Sequence, residues 1–402
     1  MSYIFEKTQV QAADSGSVDA FGRWRVSNPV TLFDGRTGYS DDRTWSNALV
    51  SGTMTGSLSN PLAAYIMTST ANTAGRRVRQ SLKRFNYTPG KSHLILCSFV
   101  LGASVGGNKK RVGYFDDNNG LFLQQDGSEV SFNRRTYVTS SAVDNKVLQA
   151  DWSLDTMDGT GPSGITVDFT KTQILVIDFE WLGVGRVRMG FNIDGVTYYC
   201  HEFLNANNLD NVYMSTGSLP IRYEMEHSGT GESSSFKCIC STVISEGGSE
   251  QLGAACASTS GLLTGLTAGS IYPLLGIRLK AAQSNGPVVK LTGFDVLGTT
   301  TNDAFAWHFL RDPVVTGTLT YNGFTDSSVE IAIGGSAQTV AVPTADIISG
   351  GVGFSRTQIV LPTGDDVQLE TDANGNPIPF ILAIQPYTSL SAAAAMRWRQ
   401  YN

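Results

Sequence analysis

Apolar and polar residues alternate with a period of two along much of the chain between residues 93 and 203. The segment RVRMGFNID shows this most clearly, because Val187, Met189 and Phe191 are separated by polar or small residues. Successive side chains of a β-strand point to opposite faces, so the spacing predicts strands with one buried and one solvent-facing side. The pattern favours antiparallel sheets, since these can leave one face exposed to solvent.

Turn-forming residues separate these strands at short intervals. Asp194-Gly195 lies between two strand-like runs and predicts a two-residue hairpin, whose turn needs positive φ angles. The DDNNG segment at 116–120 predicts a second turn between strands. Beyond residue 270, strand-length runs bounded by Gly, Asn and Pro continue towards the C terminus. Many short sequential strands predict β-sandwiches of jelly-roll type.

The strand-length runs, and the change in local composition between them, predict an all-β protein with two β-sandwich (jelly-roll-like) units. The predicted layout is an extended N-terminal arm at 1–40, a first sandwich at 41–245, a linker at 246–270 and a second β-rich domain at 271–402. At the C-terminal end, Ser391 can cap a run of four alanines, so Leu390 to Arg399 is predicted to form a short helix.

Composition narrows the functional classes. The 402-residue chain has 16% charged residues and a net charge of -6, which argues against nucleic-acid binding because phosphate recognition depends on a basic surface. We expect neither a secretory signal nor membrane insertion, since no basic-then-apolar segment opens the sequence and its apolar runs are short. Five cysteines form no C-x-x-C pair, which predicts free thiols and no zinc site. Cys238 and Cys240 are two residues apart and are expected on one buried strand face.

Two motifs resemble ligand-binding signatures without the context that these need. GTGPSG at 159–164 matches the dinucleotide fingerprint, but a strand-like run follows it where a helix is required. Asp151, Asp155 and Asp158 could ligate calcium, although aspartates in loops commonly hydrogen-bond their own turns. We therefore assign no cofactor and no metal ligand.

Candidate catalytic residues are few. Asp178 and Glu180 alternate on one predicted strand, about 7 Å apart by strand rise, which an inverting glycosidase could use. The exposed polar face of a strand explains them more simply. His201 and Glu202 begin a zincin-like pattern, but Asn205 stands where the second histidine would be needed. No catalytic residue is assigned.

Four long blocks follow one another in the first part of the chain: DAFGRWRVSNPVTLFD, YTPGKSHLILCSFVLG, RVGYFDDNNGLFL and MDGTGPSGITVDFTKTQILVIDFEWLGVGRVR. Together they resemble a family of tailed-bacteriophage virion structural proteins. The resemblance implies assembly in the host cytoplasm, a place in the virion, and contacts with other virion proteins and with copies of itself, a trimer being the expected number. It carries over no catalytic residue.

Candidate assembly contacts come from the arm, from a basic set and from the C terminus. They are Phe21, Trp24, Arg25, Val26, Arg77, Arg79, Lys83 and Trp398. The apolar arm residues could be buried by a partner subunit, and an arm folded back onto its own sandwich is the alternative. The three basic residues at 77–83 would share one strand face, which could meet an acidic neighbour or face solvent.

The leading hypothesis is a non-enzymatic virion building block that assembles as a homo-oligomer, in the tail, baseplate or fibre or on the capsid. The competing hypothesis is a glycan-binding receptor module, since jelly rolls also serve as lectins. A polysaccharide depolymerase ranks third. An assembly protein should bury Trp and Phe between chains, whereas a lectin should present an exposed aromatic beside Asn, Asp or Arg.

Overall fold

The computed structural model describes residues 16–38, 40–41, 43–248, 253–283, 286–299, 304–324, 326–341, 347–360 and 367–401. The described chain is built from antiparallel β-strands, with short 3-10 segments at Asn60–Leu62, Gln149–Asp151 and Ala281–Gln283. The predicted all-β class is confirmed. Within these ranges no helix has the length and apolar character needed to cross a bilayer. Residues 1–15 of the predicted arm lie outside the described residues.

The chain divides into two compact units. Unit 1 comprises residues 1–80 and 87–249, and unit 2 comprises residues 81–86 and 250–402. The strands of unit 1 are β1 (Val30–Gly35), β2 (Trp45–Gly52), β3 (Thr55–Ser59), β4 (Ala64–Thr68), β5 (Gly75–Ser81), β6 (His93–Val100), β7 (Asn108–Phe115), β8 (Gly120–Asp126), β9 (Glu129–Thr136), β10 (Val143–Leu148), β11 (Gln173–Phe179), β12 (Val187–Ile193), β13 (Val196–Phe203), β14 (Ile221–His227) and β15 (Ser235–Ser245).

Unit 1 is a sandwich of two large sheets. The eight-stranded sheet has the order β13, β12, β11, β6, β15, β4, β3, with β1 also paired to β15, and the seven-stranded sheet has the order β10, β9, β8, β7, β14, β5, β2. Aromatic rings meet between the sheets, as Phe132 and Phe191 do at 5.9 Å and Tyr114 and Phe179 at 5.4 Å. These contacts define the core of unit 1, because the alternating apolar residues of both sheets point into it.

Unit 2 repeats this architecture with a different strand set. Its strands are β16 (Ala254–Leu266), β17 (Tyr272–Leu279), β18 (Val288–Gly298), β19 (Ala304–Arg311), β20 (Val314–Thr316), β21 (Tyr321–Gly323), β22 (Val329–Ile333), β23 (Thr339–Ala341), β24 (Ile347–Phe354), β25 (Arg356–Val360), β26 (Val367–Gln368), β27 (Phe380–Pro386) and β28 (Leu390–Tyr401). A five-stranded sheet (β16, β28, β18, β25, with β26 on β18) and a six-stranded sheet (β21, β22, β17, β27, β19, β24) enclose a core that includes Phe294, Phe309 and Phe380.

The predicted hairpin at Asp194-Gly195 is confirmed. Strands β12 and β13 pair in antiparallel register up to Ile193 and Val196, which leaves a two-residue turn. Asp194 has a φ of 51° and Gly195 a φ of 83°. Positive φ at both positions is the requirement of a type I′ turn, whose twist matches that of the flanking strands.

The predicted C-terminal helix is wrong, because residues 390–401 form strand β28 at the centre of the five-stranded sheet. Its side chains alternate strictly between buried and half-buried, so Ala392 and Ala394 point into the core while Ala393 and Ala395 point outward. Alanine has the highest intrinsic helix propensity, but propensity is a weak determinant, and pairing with β16 and β18 on both sides overrides it.

Three further expectations need correction. The predicted linker contains the 13-residue strand β16, and the predicted arm ends in β1, which pairs with β15. Cys238 and Cys240 do not share a buried face, because a bulge interrupts the register of β15 between Cys238 and Ser241. As a result Cys238 is buried whereas Cys240 is exposed.

Candidate assembly surface

Residues 16–27, which we call the arm segment, form a tight loop. The Asp19 amide donates to the Arg23 carbonyl at 2.8 Å and the Gly22 amide donates to the Asp19 carbonyl at 2.9 Å. The Asp19 carboxylate also receives the Arg23 guanidinium at 2.7 Å. Local hydrogen bonds therefore define the shape of the arm segment.

Buried ion pairs hold the arm segment on unit 1. Arg25 Nη2 lies 2.5 Å from Asp178 Oδ2, and Arg25 also ion-pairs with Glu246. Arg188 Nη2 lies 2.6 Å from the same Asp178 oxygen and donates to the Val18 carbonyl at 2.6 Å. The arm segment thus folds back onto its own sandwich, which was one of the two alternatives for the arm. We call these four charged residues the latch.

Strand pairing explains how the latch is built. Asp178 in β11 and Arg188 in β12 are direct cross-strand partners, so their side chains emerge on the same face. Tyr199 in β13 adds a hydroxyl 2.9 Å from Asp178 Oδ2, and the Arg188 guanidinium lies 4.0 Å from the centre of its ring. Burial and the nearby Asp178 charge raise the pKa of Tyr199, which keeps this hydroxyl protonated as a donor.

The latch leaves two apolar residues of the arm segment exposed. Trp24 is 60% exposed and Val26 is 88% exposed. The remaining tryptophans are buried or half-buried: Trp45, Trp152, Trp181, Trp307 and Trp398. Phe21 is half-buried, with the Arg23 guanidinium 4.4 Å from the centre of its ring. Trp24 and Val26 are therefore held in solvent on a segment whose base is fixed by buried charges.

Two loops joined to the arm segment add further exposed apolar residues. Arg186 Nε, in the loop after β11, donates to the Ala20 carbonyl at 3.2 Å. The Tyr213 amide, in the loop after β13, donates to the Gly183 carbonyl at 2.9 Å and so ties the two loops together. The exposed apolar side chains of the two loops are Leu182, Val184, Leu204, Leu209 and Val212. We call the arm segment and these loops the assembly surface.

The expected basic stripe on β5 is not an exposed surface. Arg79 is 1% exposed, lies 2.9 Å from Asp41, and stacks over Trp45 at 4.7 Å from the ring centre. Arg77 is half-buried and donates to the Tyr65 hydroxyl at 2.7 Å. Both side chains point to one face, but that face is the interior edge of the sandwich, where each already contacts intrachain partners.

The other two candidate contacts lie in unit 2. Lys83 lies beyond the end of β5, in the segment 81–86 of that unit, so it is not part of the strand that carries Arg77 and Arg79. Trp398 is 2% exposed and belongs to the core of unit 2, because inward residues of β28 alternate at even positions.

A second charged cluster lies on the outward face of the seven-stranded sheet. The Glu224 side chain is 1% exposed and pairs with Arg76 at 2.7 Å, with Arg222 at 3.4 Å and with Arg111. Burial alone would raise the pKa of Glu224, but the three arginine charges outweigh it and hold that pKa well below its usual range. The sequence analysis missed this cluster because its members come from three strands that are distant along the chain.

Two of the three aspartates considered for calcium, Asp155 and Asp158, accept hydrogen bonds within their own turns. Asp155 accepts the amides of Met157 at 2.9 Å and Ser163 at 2.8 Å, and Asp158 accepts the Thr160 amide at 2.9 Å. No group of three or more metal-binding side chains occurs in the part of the chain that the structure describes. These contacts fit the turn interpretation of the loop.

The two acids considered for glycoside cleavage, Asp178 and Glu180, lie in different environments. Asp178 is fully buried under the arm segment, whereas Glu180 is half-buried and accepts the Arg186 amide at 2.9 Å. Burial raises the pKa of Glu180. His201 Nδ1 accepts the Ser153 amide at 3.2 Å, which gives this histidine a structural partner.

No protein-family model and no curated protein matches the sequence. Among solved structures, the Emp47p carbohydrate recognition domain covers 53% of this chain and 93% of its own, at 10% identity and a TM-score of 0.32. A beta-1,3-glucanase from Mycobacterium marinum covers 53% and 98%, at 10% identity and a TM-score of 0.36. A legume lectin-like domain from Entamoeba histolytica covers 53% and 97%, at 8% identity and a TM-score of 0.33. At these scores the resemblances assign no function to this chain.

Proposed function

We propose that the protein is a non-enzymatic structural component of a tailed-phage virion, and that it associates with copies of itself through the assembly surface. The observation that carries the proposal is the exposure of Trp24 and Val26 on an arm segment fixed by buried ion pairs. The sequence blocks that resemble virion structural proteins supply the biological setting.

The physical argument rests on preorganisation. An apolar side chain on a fixed base loses little conformational freedom on binding, so more of its burial energy appears as affinity. Tryptophan is also the residue type most enriched among energetic hot spots of protein interfaces. Exposed apolar residues on two adjoining loops enlarge the surface beyond a single side chain, which favours a protein partner.

The surroundings of Asp178 support a structural role over glycoside cleavage. Its carboxylate oxygen Oδ2 already receives Arg25, Arg188 and Tyr199. A general acid or base must reach the reacting atom of a substrate, and the Asp178 side chain is 0% exposed beneath the arm segment. The contact with Arg25 attaches the arm segment to the sandwich, and Arg188 and Tyr199 hold Asp178 in place for it.

The experiment compares the mass of the full-length protein with that of the double variant Trp24→Ser/Val26→Ser by multi-angle light scattering over a range of concentrations. We expect an oligomer for the natural sequence and a shift towards monomer for the variant, at unchanged melting temperature. Val314→Ser is the matched control, because Val314 is 66% exposed in unit 2 and lies outside the assembly surface.

A monomeric natural protein, or an oligomer that is indifferent to both arm substitutions, would refute the proposed surface. The virion setting has its own test, since an antibody against the purified protein should label assembled phage particles. Particles that carry no such protein would refute that part of the proposal.

A further inference from the structure

The eight-stranded sheet of unit 1 carries apolar residues on the side that faces away from the core, along its central strands β11, β6 and β15. Cys97 of β6 is buried in the core, so Leu94 and Leu96, at the alternate positions of the strand, point outward. Residues of β11 and β15 beside the outward positions of β6 share that side. We call this set the outer face: Leu94, Leu96, Ile174, Val176, Cys240 and Ile244.

The sequences of β6 and β11 are typical of strands that are buried on both sides. β6 reads HLILCSFV and β11 reads QILVIDF, so apolar residues occupy both sets of alternating positions. Short continuous apolar runs indicate strands that are covered on both faces, whereas a strand with one wet face alternates apolar and polar residues. Val176 is buried, but Ile174 is 38% exposed and both outward leucines are half-buried. A single chain therefore covers the outer side of these strands only in part.

Charged residues of the three central strands lie at the two ends of the outer face. At one end Asp178, the cross-strand partner of Leu94, is enclosed in the latch beneath the arm segment. At the opposite end Lys237 is the partner of Val100. An apolar centre with a polar border is the anatomy of protein interfaces. A partner that covers the middle of the outer face meets uncharged side chains, whose removal from water is favourable.

The size of the sheet is that of a specific interface. The path from β13 to β3 contains seven strands. With strands about 4.8 Å apart and about seven residues long, at roughly 3.3 Å per residue, the outer side measures about 34 Å by 23 Å, or roughly 800 Å². Each partner in a standard interface contributes about 800 Å². The arm segment crosses the latch end, so a contact over the remainder lies at the lower end of the range for specific complexes.

The bulge of β15 adds a thiol to the middle of the outer face. The Cys240 amide donates to the Ser98 hydroxyl oxygen at 3.0 Å, and Ser98 is the cross-strand partner of Ile174. These three residues therefore form one row across β15, β6 and β11. Free cysteine is among the most buried residue types and behaves as a small apolar residue. Its exposure in this row is a second indication that the outer face is covered on association.

We propose that two copies of this chain pack their outer faces against each other about a twofold axis, as back-to-back eight-stranded sheets. Sheets commonly bury apolar faces by packing against another sheet at about 10 Å. A twofold contact buries the same patch on both copies, and a flat sheet face with an uncharged centre is complementary to itself. The contact uses different residues from the assembly surface, so either contact can exist without the other.

Sedimentation velocity of the full-length protein over a range of concentrations, combined with the rate at which Ellman's reagent labels Cys240, tests this contact. Labelling should be fast in dilute solution and should slow as the concentration rises, because association covers the thiol. Ile174→Glu places a charge in the contact, so it should weaken association at least about tenfold and keep labelling fast throughout. Leu49→Glu is the matched control and should change neither readout, because Leu49 is 46% exposed on β2 of the other sheet.

The arm variant Trp24→Ser/Val26→Ser separates the outer-face contact from the assembly surface. It should keep the concentration dependence of Cys240 labelling, and loss of that dependence would overturn the outer-face contact while leaving the proposed function intact. An unchanged mass for the arm variant, with that dependence retained, would refute the assembly surface alone.

Three other results would overturn the outer-face contact. They are labelling of the natural protein that is independent of concentration, equal slowing in a folded Ile174→Glu protein, and protection of Cys240 only in assembled particles, which would assign the outer face to another virion protein. If Ile174→Glu does not fold, Cys240→Glu replaces it at a second exposed position of the outer face, with the mass as the readout.

Discussion

Substitution of Arg25 by alanine tests whether the latch holds the arm segment on unit 1. The Arg25 side chain is 15% exposed, and its partners Asp178 and Glu246 are 0% and 7% exposed. Removing one partner of a buried ion pair costs about 3–5 kcal/mol, because the remaining charge stays buried without compensation. Asp178 keeps Arg188 and Tyr199 in the variant, so the uncompensated charge is that of Glu246. We therefore expect a loss of about 3 kcal/mol.

Calorimetry and urea unfolding measure this loss. For a unit of roughly 200–250 residues, about 3 kcal/mol lowers the melting temperature by about 6–12 °C. Amide hydrogen exchange should rise in residues 17–25, since the ladder that includes the Arg25 amide and the Ser17 carbonyl would open. The transition of unit 2 serves as an internal reference wherever the two units unfold separately.

Arg36→Ala is the matched control for Arg25→Ala. Arg36 and Asp34 form an ion pair whose side chains are 77% and 55% exposed, and such pairs contribute about 0–1 kcal/mol. A loss for Arg25→Ala no larger than that for Arg36→Ala would refute the argument that buried charges hold the arm segment.

Two further predictions concern buried titratable groups. Burial lowers the pKa of His93 to about 3, whereas a histidine in the unfolded chain has its ordinary pKa of about 6.5. Between these two pH values the unfolded chain binds a proton that the folded chain does not. The free energy of unfolding should therefore fall as pH drops from about 6.5 towards 3. His93→Phe should remove this part of the acid sensitivity in urea titrations; an unchanged pH slope would contradict it. Ellman's reagent should label the exposed Cys240 first, whereas burial raises the pKa of the Cys97 thiol to about 12 and should delay its labelling until unfolding. Loss of the fast labelling phase in Cys240→Ser would identify the residue, and its persistence would contradict the assignment.

Features that depend on neighbouring residues could be predicted from the sequence. The Asp194-Gly195 hairpin followed from two turn residues between alternating strands, and the burial of Val187, Met189 and Phe191 followed from the same alternation. Both depend on chemistry within about ten residues, which a single sequence displays directly. The all-β class rests on many such local signals together.

Features that depend on distant partners could not be predicted. The alanine run of β28 has helical propensity, and its pairing with β16 and β18, both far earlier in the chain, makes it a strand. Arg25 meets Asp178 and Glu246 across separations of 153 and 221 residues. Arg25 is a basic residue in a polar arm, and its sequence context gave no sign of burial, because its acidic partners lie far along the chain, Asp178 in β11 and Glu246 directly after β15.

The chemistry of the latch bears on what the arm segment is for. A buried ion network is an inefficient way to stabilise a fold, since well-packed apolar residues at the same positions are often neutral or better. What charges add is geometric selectivity: Asp178 Oδ2 accepts Arg25, Arg188 and Tyr199 only when all three donors are placed correctly. Such selectivity matters most where an attached segment must hold particular side chains in a fixed orientation. The latch fixes the backbone one residue from Trp24 and from Val26, so the orientation of the exposed pair is what it controls.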